Sequence, residues 1–136
     1  MPKDRPQCGL LIENAEGKVL LQLRDKKSWI PYPDSWGTFG GQIEVGETPK
    51  QAIIREIREE LDYDCSEAEL YGEYPFENYN IYMFRIVDKR IKLSDVKVRE
   101  GQRGEFLSLD DIKKAKCAFN AKEIVMDYYE EYHKSN

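Results

Sequence analysis

Apolar positions along this chain fall into short strand-like runs separated by polar turns, with a change to helical spacing in the middle. Gln7 to Asn14 and Lys18 to Arg24 read as two strands joined by a turn around Glu16-Gly17. Asp25 to Ser35, with Pro31 and Pro33 close together, reads as a loop leading into the short apolar run Trp36 to Phe39. From Pro49 to Leu61 the residues Ile53, Ile54, Ile57 and Leu61 recur at helical spacing and give one stripe for burial. Thr48 is a suitable N-cap, Pro49 fits the first helical position, and Gln51 completes a capping box. Glu69 to Phe76 and Ile81 to Val87, rich in Tyr, Ile, Phe and Val, read as a strand pair, and a further strand is expected near Gly104 to Leu107. Ser108 caps a short helix over Leu109 to Ala115, and Ala121 to Tyr132 forms another. Strands and helices mixed without regular alternation point to an α+β sandwich. No linker, repeat or low-complexity segment interrupts the chain, so one domain over residues 1–136 is expected.

Composition narrows the class. A chain of 136 residues, 40% apolar and 12% aromatic, can bury a single core. No apolar run approaches the roughly 20 residues of a membrane span. The polar start Met1-Pro2-Lys3-Asp4-Arg5 lacks a signal-peptide pattern, so a cytoplasmic protein without membrane partners is expected. A net charge of -5 and a pI near 5.1 argue against binding a nucleic-acid polymer, which wants a basic face. An acidic protein still holds an anionic phosphate if cations sit between them. Cys8, Cys65 and Cys117 lack zinc-ligand spacing and read as free thiols of a reducing compartment. His133 is the single histidine and lies near the end of the last helix, which speaks against a His-based triad or His-rich metal site. General-base work then falls to carboxylates.

Glu56, Glu59 and Glu60 share one flank beside the apolar stripe, because residues three and four apart are neighbours on a helix. Such a patch repels itself unless a positive group sits in it. Hard oxygen ligands at this density suit Mg2+, with Mn2+ as a substitute, and these ions bridge to substrate phosphates. A solvated acidic helix face is the plain alternative. What separates the two is the full spacing: Gly, five residues, Glu, seven residues, Arg-Glu, two residues, Glu-Glu.

With that spacing, Gly41, Glu47, Arg55, Glu56, Ile57, Glu59 and Glu60 resemble the Nudix box, G-x5-E-x7-R-E-U-x-E-E-x-G-U, with U a bulky aliphatic residue. Asp62 stands at its last glycine, Tyr63 at its last aliphatic position, and Phe39 where a proline often precedes the two glycines. That glycine ends the helix in a left-handed conformation, which Asp tolerates better than most residues, so a small stability cost and intact chemistry are expected. The resemblance implies an α/β/α sandwich with a mixed sheet between helices. It also implies a Mg2+-dependent pyrophosphohydrolase acting on a nucleoside diphosphate linked to another moiety, since metal ions can activate water and neutralise phosphate charge. Glu56, Glu59 and Glu60, with the Gly40 carbonyl, are the metal ligands it implies, while Glu47 fixes the loop by hydrogen bonds. Arg55, four residues before Glu59, is expected to hold that carboxylate in place.

Val98-Arg99-Glu100-Gly101-Gln102, followed by Gly104 to Leu109, looks like the late loop and strand of MutT-type members, the 8-oxo-dGTP pyrophosphohydrolases. That makes Glu100 a candidate fourth metal carboxylate, with an exposed loop glutamate as the alternative. The water-activating base is then one of Glu56, Glu59 or Glu100. Asn120 is placed like the MutT-type asparagine that hydrogen-bonds the purine, and its amide offers both donor and acceptor. A helix cap for the segment starting at Ala121 explains it equally well. Arg24 matches a MutT-type arginine that contacts the nucleotide. Thr38 stands where that branch has a base-facing aromatic, Asn78-Tyr79 replace an Asp-Arg pair, and the loop Ser28 to Pro33 has no counterpart there. In that loop Trp29 and Tyr32 are candidates to face substrate, whereas Trp36 is expected to pack. A damaged purine triphosphate is the first substrate expected, with nucleotide sugars and dinucleoside polyphosphates behind it. Tyr79 lies sixteen residues after the box, where dinucleoside polyphosphate hydrolases carry a tyrosine. A non-catalytic nucleotide sensor is the competing class, and loss of box carboxylates would favour it; none is lost. The assembly expected is a monomer or homodimer.

Overall fold

β1 (Gln7–Glu13) is the axis of the sheet. In the computed structural model the described residues are 5–133, so the polar start at 1–4 and the extreme ends of the expected domain lie outside them. After β1 come β2 (Val19–Leu23), β3 (Trp36–Gly37), β4 (Phe39–Gln42), α1 (Pro49–Leu61), β5 (Glu69–Phe76), β6 (Tyr79–Val87), a single 3-10 turn (Leu93–Asp95), β7 (Arg103–Leu107), α2 (Leu109–Lys114) and α3 (Ala121–Tyr132).

One edge of β1 pairs in parallel with β6 along its whole length, from Gln7 opposite Ile81 to Glu13 opposite Val87. The other edge is shared. β4 takes Gln7 to Leu10 in antiparallel register, and β2 takes Glu13, opposite Val19. β2 then diverges to pair with β7 on one side and β3 on the other. The sheet therefore forks, and β3 and β4, interrupted at Thr38, run along the two prongs. β5 ends the sheet beyond β6, with a bulge between Leu70 and Gly72.

Alternation along the strands sends side chains to two helical layers. Cys8, Leu10 and Ile12, with Leu20, Phe39 and Phe84, pack on Ala52, Ile53, Ile57 and Leu61 of α1. Leu11, Val19, Leu21, Met83 and Leu107 pack on Ile112 of α2 and Ile124, Val125 and Tyr128 of α3. The result is the expected α/β/α sandwich around a mixed sheet. Each fully buried Ile or Leu on α1 contributes about 1.5–3 kcal/mol. Ile54, the fourth member of the expected stripe, is only partly buried and packs at the margin. Among the described residues no helix is long and apolar enough to cross a membrane.

The expected bounds of α1 and α3 hold, including the capping box in which Thr48 Oγ1 accepts from Gln51 N–H and Gln51 Oε1 accepts from Thr48 N–H. β6 starts two residues earlier than expected, because Tyr79 and Asn80 continue the pairing with β5. The run Trp36 to Phe39 becomes two strands rather than one. At the other end of α1, Asp62 adopts φ 53°, ψ 42°, the left-handed conformation expected of it, and its N–H donates to Arg58 O. Tyr63 packs against the core and its hydroxyl donates to Asp88 at 2.7 Å, while Phe39 is buried.

Relief of the left-handed penalty gives a direct test. Asp62→Gly is expected to raise stability by about 1 kcal/mol and Asp62→Val to lower it by at least as much. Urea midpoints of the two variants, at unchanged slope, check this.

Candidate active site

Two glycines let β4 fit tightly, Gly40 against the backbone of β1 and Gly41 against helix α1. A Cβ on Gly40 (φ +152°) would lie 1.9 Å from Cys8 O, and one on Gly41 would lie within 2.7 Å of the Glu56 carboxyl. Gly40 N–H instead donates to Glu60 Oε2 at 3.1 Å. Arg55 then ties the pieces together. Its Nε and Nη2 donate to the two oxygens of Glu47 at 2.8 and 2.9 Å, its Nη1 to Glu56 Oε1 at 2.9 Å, and its Nη2 also to Gln42 O at 3.1 Å. Glu47 in turn accepts from Glu44 N–H at 2.8 Å, which closes the loop between β4 and α1.

The expected pair of Arg55 with Glu59 forms, but it is the loosest of these contacts. Glu59 Oε2 is 3.6 Å from Arg55 Nη1 and its side chain is 61% exposed. The loop turn at Glu44 to Glu47 brings Glu47 back over α1, and a bidentate carboxylate outcompetes a single distant one.

Glu100 reaches the same place by a different route. The last-turn carbonyls of α1 need partners, and the segment before β7 supplies them: Lys97 N–H donates to Leu61 O at 2.9 Å, and Arg99 N–H to Glu60 O at 3.0 Å. Arg99 Nη1 adds a bond to Glu59 O at 3.1 Å. On the far side Gln102 N–H donates to Leu23 O at 2.8 Å, and Gly101 (φ +76°) fits against that strand where a Cβ would sit 2.6 Å from Leu23 O. Glu100 is thus held between α1 and β2.

Glu56, Glu60 and Glu100 repel one another. Burial, then Glu100 and Glu56, push the Glu60 carboxyl up to about 9 despite the Gly40 N–H. Burial also pushes Glu56 upward, against the pull of Arg55. The hydrogen bonds from Arg55 hold Glu47 down to about 2. Among the described residues no three His, Cys, Asp or Glu side chains already close into a cation cage. Arg55 occupies one oxygen of Glu56, and Glu59 lies at the exposed rim. A buried carboxylate pressed by two others still has the chemistry of a hard-cation site, because a divalent ion relieves the repulsion that otherwise forces protonation.

From this acidic end a cleft of about 230 Å3 runs between the prongs of the sheet, lined by Glu100, Gly40, Arg24 and Asn120 among others. Arg24 Nε donates to Pro31 O at 3.1 Å, and the guanidinium lies 5.2 Å from the centre of the Phe119 ring. Asn120 stands at the N-cap position of α3, yet its side chain makes no capping hydrogen bond. Gln22, buried on the cleft floor, donates to Thr38 O at 3.2 Å. Trp29 and Tyr32 do not line the cleft: Trp29 is 78% exposed at the loop surface, and Tyr32 reaches the cleft only through Phe119, ring centres 4.6 Å apart. Trp36 packs on the α2/α3 side, as expected. Phe119, Gln22 and Tyr79 are cleft residues to which sequence reasoning gave no site role or a weak one. The only signal for Phe119 was an aromatic residue beside Asn120. The three cysteines are free, and burial pushes the Cys8 thiol, which touches Gly41 O, up to about 12.

Comparison with known proteins gives the family and the fold. Residues 3–128 match the NUDIX domain, and the chain belongs to that family. It is 38% identical over 72 residues to an 8-oxo-dGTP diphosphatase of Escherichia coli K12, covering 52% of this chain and 55% of that protein. It is 35% identical over 68 residues to an RNA pyrophosphohydrolase of Hydrogenovibrio crunogenus, covering 50% of this chain and 38% of that one. The chain thus spans between about two fifths and a little over half the length of these relatives. In fold it is similar to a MutT protein of Methanosarcina mazei (TM-score 0.74, 21% identity, 97% and 99% of the two chains). It is also similar to the NUDIX domain of Shewanella oneidensis NrtR complexed with ADP ribose (TM-score 0.79, 15% identity, 96% and 90%).

The buried carboxylate sets a pH dependence. With the Glu60 value raised from 4.5 to about 9, the metal-free folded chain binds more protons than the unfolded one between those limits, so stability falls as pH rises through that window. Glu47, shifted the other way, loses its stabilising effect only as pH drops below 4.5. Melting temperatures in chelator are expected to fall from pH 5 to pH 9, Glu60→Gln to flatten that slope, and added Mg2+ to stabilise most at high pH.

Proposed function

We propose that this chain is a cytoplasmic pyrophosphohydrolase, dependent on Mg2+ or Mn2+, that cleaves the phosphoric anhydride of a nucleoside diphosphate linked to another group. An oxidised purine nucleoside triphosphate of the 8-oxo-dGTP kind, hydrolysed to monophosphate and pyrophosphate, is the first substrate. The observation that carries this reading is the approach of Glu100 to Glu56 and Glu60 at one end of a cleft whose walls also hold Arg24 and Asn120. The relative from Escherichia coli named for 8-oxo-dGTP supports the substrate order.

Glu56, Glu59, Glu60 and Glu100, with the Gly40 carbonyl, would hold the metal, which when bound lowers the pKa of water and offsets phosphate charge. Arg55 keeps Glu56 aimed at the cleft and keeps Glu47 locked on the loop. Arg24, bonded to backbone through Nε, presents a guanidinium suited to an anionic phosphate. The Asn120 amide, not spent on capping, can pair with a base edge. Water adds to one phosphorus, the bridging P–O bond breaks, and a carboxylate among Glu56, Glu59 and Glu100 takes the proton. Glu59, exposed and held only at 3.6 Å by Arg55, has the most freedom to do so. The working unit is a monomer or homodimer with a small nucleotide as partner. Tyr79 on the cleft wall favours a dinucleoside polyphosphate as the second substrate class.

Glu59→Gln is expected to lower kcat about 100-fold or more with an unchanged circular dichroism spectrum; near-full turnover by the folded variant removes Glu59 from the site. Product analysis with Mg2+ against 8-oxo-dGTP, ordinary dNTPs, GDP-mannose, ADP-ribose and diadenosine tetraphosphate is expected to show selective conversion of 8-oxo-dGTP to 8-oxo-dGMP and pyrophosphate. Selective cleavage of another member replaces the substrate and keeps the reaction. No turnover with any metal leaves a nucleotide-binding module.

A further inference from the structure

Phe119 stands where the backbone asks for another residue. Ala118 to Ala121 form a tight turn closed by Ala121 N–H donating to Ala118 O at 3.0 Å, and Phe119 takes φ +51° within it. Positive φ at such a position is the preserve of Gly, Asn and Asp, and an aromatic residue there is strained. The turn has no slack to relax. Ala118 N–H donates to Trp36 O at 2.7 Å, and Trp36 N–H to Lys116 O at 2.9 Å, which pins the segment to β3.

Core packing does not account for the choice. Phe119 belongs to neither hydrophobic core, and it remains 39% exposed. Its ring is nevertheless held on several sides: by Tyr32 at 4.6 Å, by the edge of Phe76 at 5.8 Å, and by the Arg24 guanidinium at 5.2 Å. A strained, pinned and buttressed ring that stays accessible at a cleft marks a positioned group rather than a filler. Its chain neighbour Asn120 opens onto the same cleft with an amide unspent on capping. Thr38, on another part of the lining, offers no ring.

We infer that Phe119 is the specificity-determining residue that selects a planar heteroaromatic base: its ring is the wall against which the base packs while Asn120 meets the base edge. The inference rests on the nucleotide reading above. Tyr32 and Phe76 act as positioning residues that keep the ring from turning away, which gives Tyr32 an indirect part in binding.

The test compares GMP with ribose 5-phosphate, which keeps the sugar phosphate and lacks the base, by calorimetry in Mg2+. Phe119→Asn removes the ring while suiting the backbone, Phe119→Leu keeps apolar bulk, and Phe119→Tyr keeps the ring. Circular dichroism confirms the fold of each. Phe119→Asn and Phe119→Leu are expected to weaken GMP roughly tenfold or more, leave ribose 5-phosphate unchanged, and raise KM of the best nucleotide at near wild-type kcat; Phe119→Tyr keeps GMP affinity and KM near wild type. Unchanged GMP binding, equal weakening of both probes, or a wild type that prefers neither overturns the assignment. Phe119-dependent GMP binding without turnover of any nucleotide keeps the wall and discards the hydrolase. Turnover with unaltered base preference in the ring-less variants does the reverse.

Discussion

The Arg55 guanidinium is the crosslink on which the rest of the site depends. One planar cation, 30% exposed in its side chain, binds both oxygens of Glu47, one of Glu56 and the carbonyl of Gln42. It joins the end of β4, the loop and the helix in a single plane of charge-assisted hydrogen bonds. Without it Glu56 and Glu47 would repel each other and the loop would have no reason to fold back on α1. Lysine cannot replace this geometry, because a single ammonium lacks the fork that engages two carboxylates at once.

The second support is a reciprocal arrangement of helix end and late loop. α1 leaves its last carbonyls unsatisfied, the segment 97–99 satisfies three of them, and the price is that Glu100 is carried next to buried Glu60. Stability and function pull in opposite directions here. Capping the helix stabilises the fold, while gathering carboxylates with no opposite charge among them destabilises it. The forked edge of β1 completes the plan, since β2 and β4 cannot both follow β1 for its full length, and the cleft lies where they part.

How much of this was legible in the sequence follows from how local each feature is. α1 was readable to the residue, because its cap box, its stripe and the left-handed Asp62 are written within fifteen residues of chain. Glu56 and Glu60 came with it. Glu100 was readable only by resemblance, as its position depends on hydrogen bonds to α1 and β2 that no local pattern encodes. Helical spacing makes the pair of Arg55 with Glu59 readable, whereas its closer bonds to Glu47 come from a loop turn that no helical spacing announces. Trp29 and Tyr32 were judged by composition of their loop, and loop composition says nothing about which way a ring points. Phe119 was passed over because a positive φ leaves no trace when the residue is not glycine.

β5 ends the sheet with an edge that resists extension. The bulge between Leu70 and Gly72 breaks the even spacing of its backbone groups, Pro75 has no N–H to offer, and Glu69 and Glu73 are exposed along it. A strand from another molecule finds no continuous ladder to join there. Backbone chemistry thus disfavours edge-to-edge pairing with another copy at the side of the molecule away from the fork.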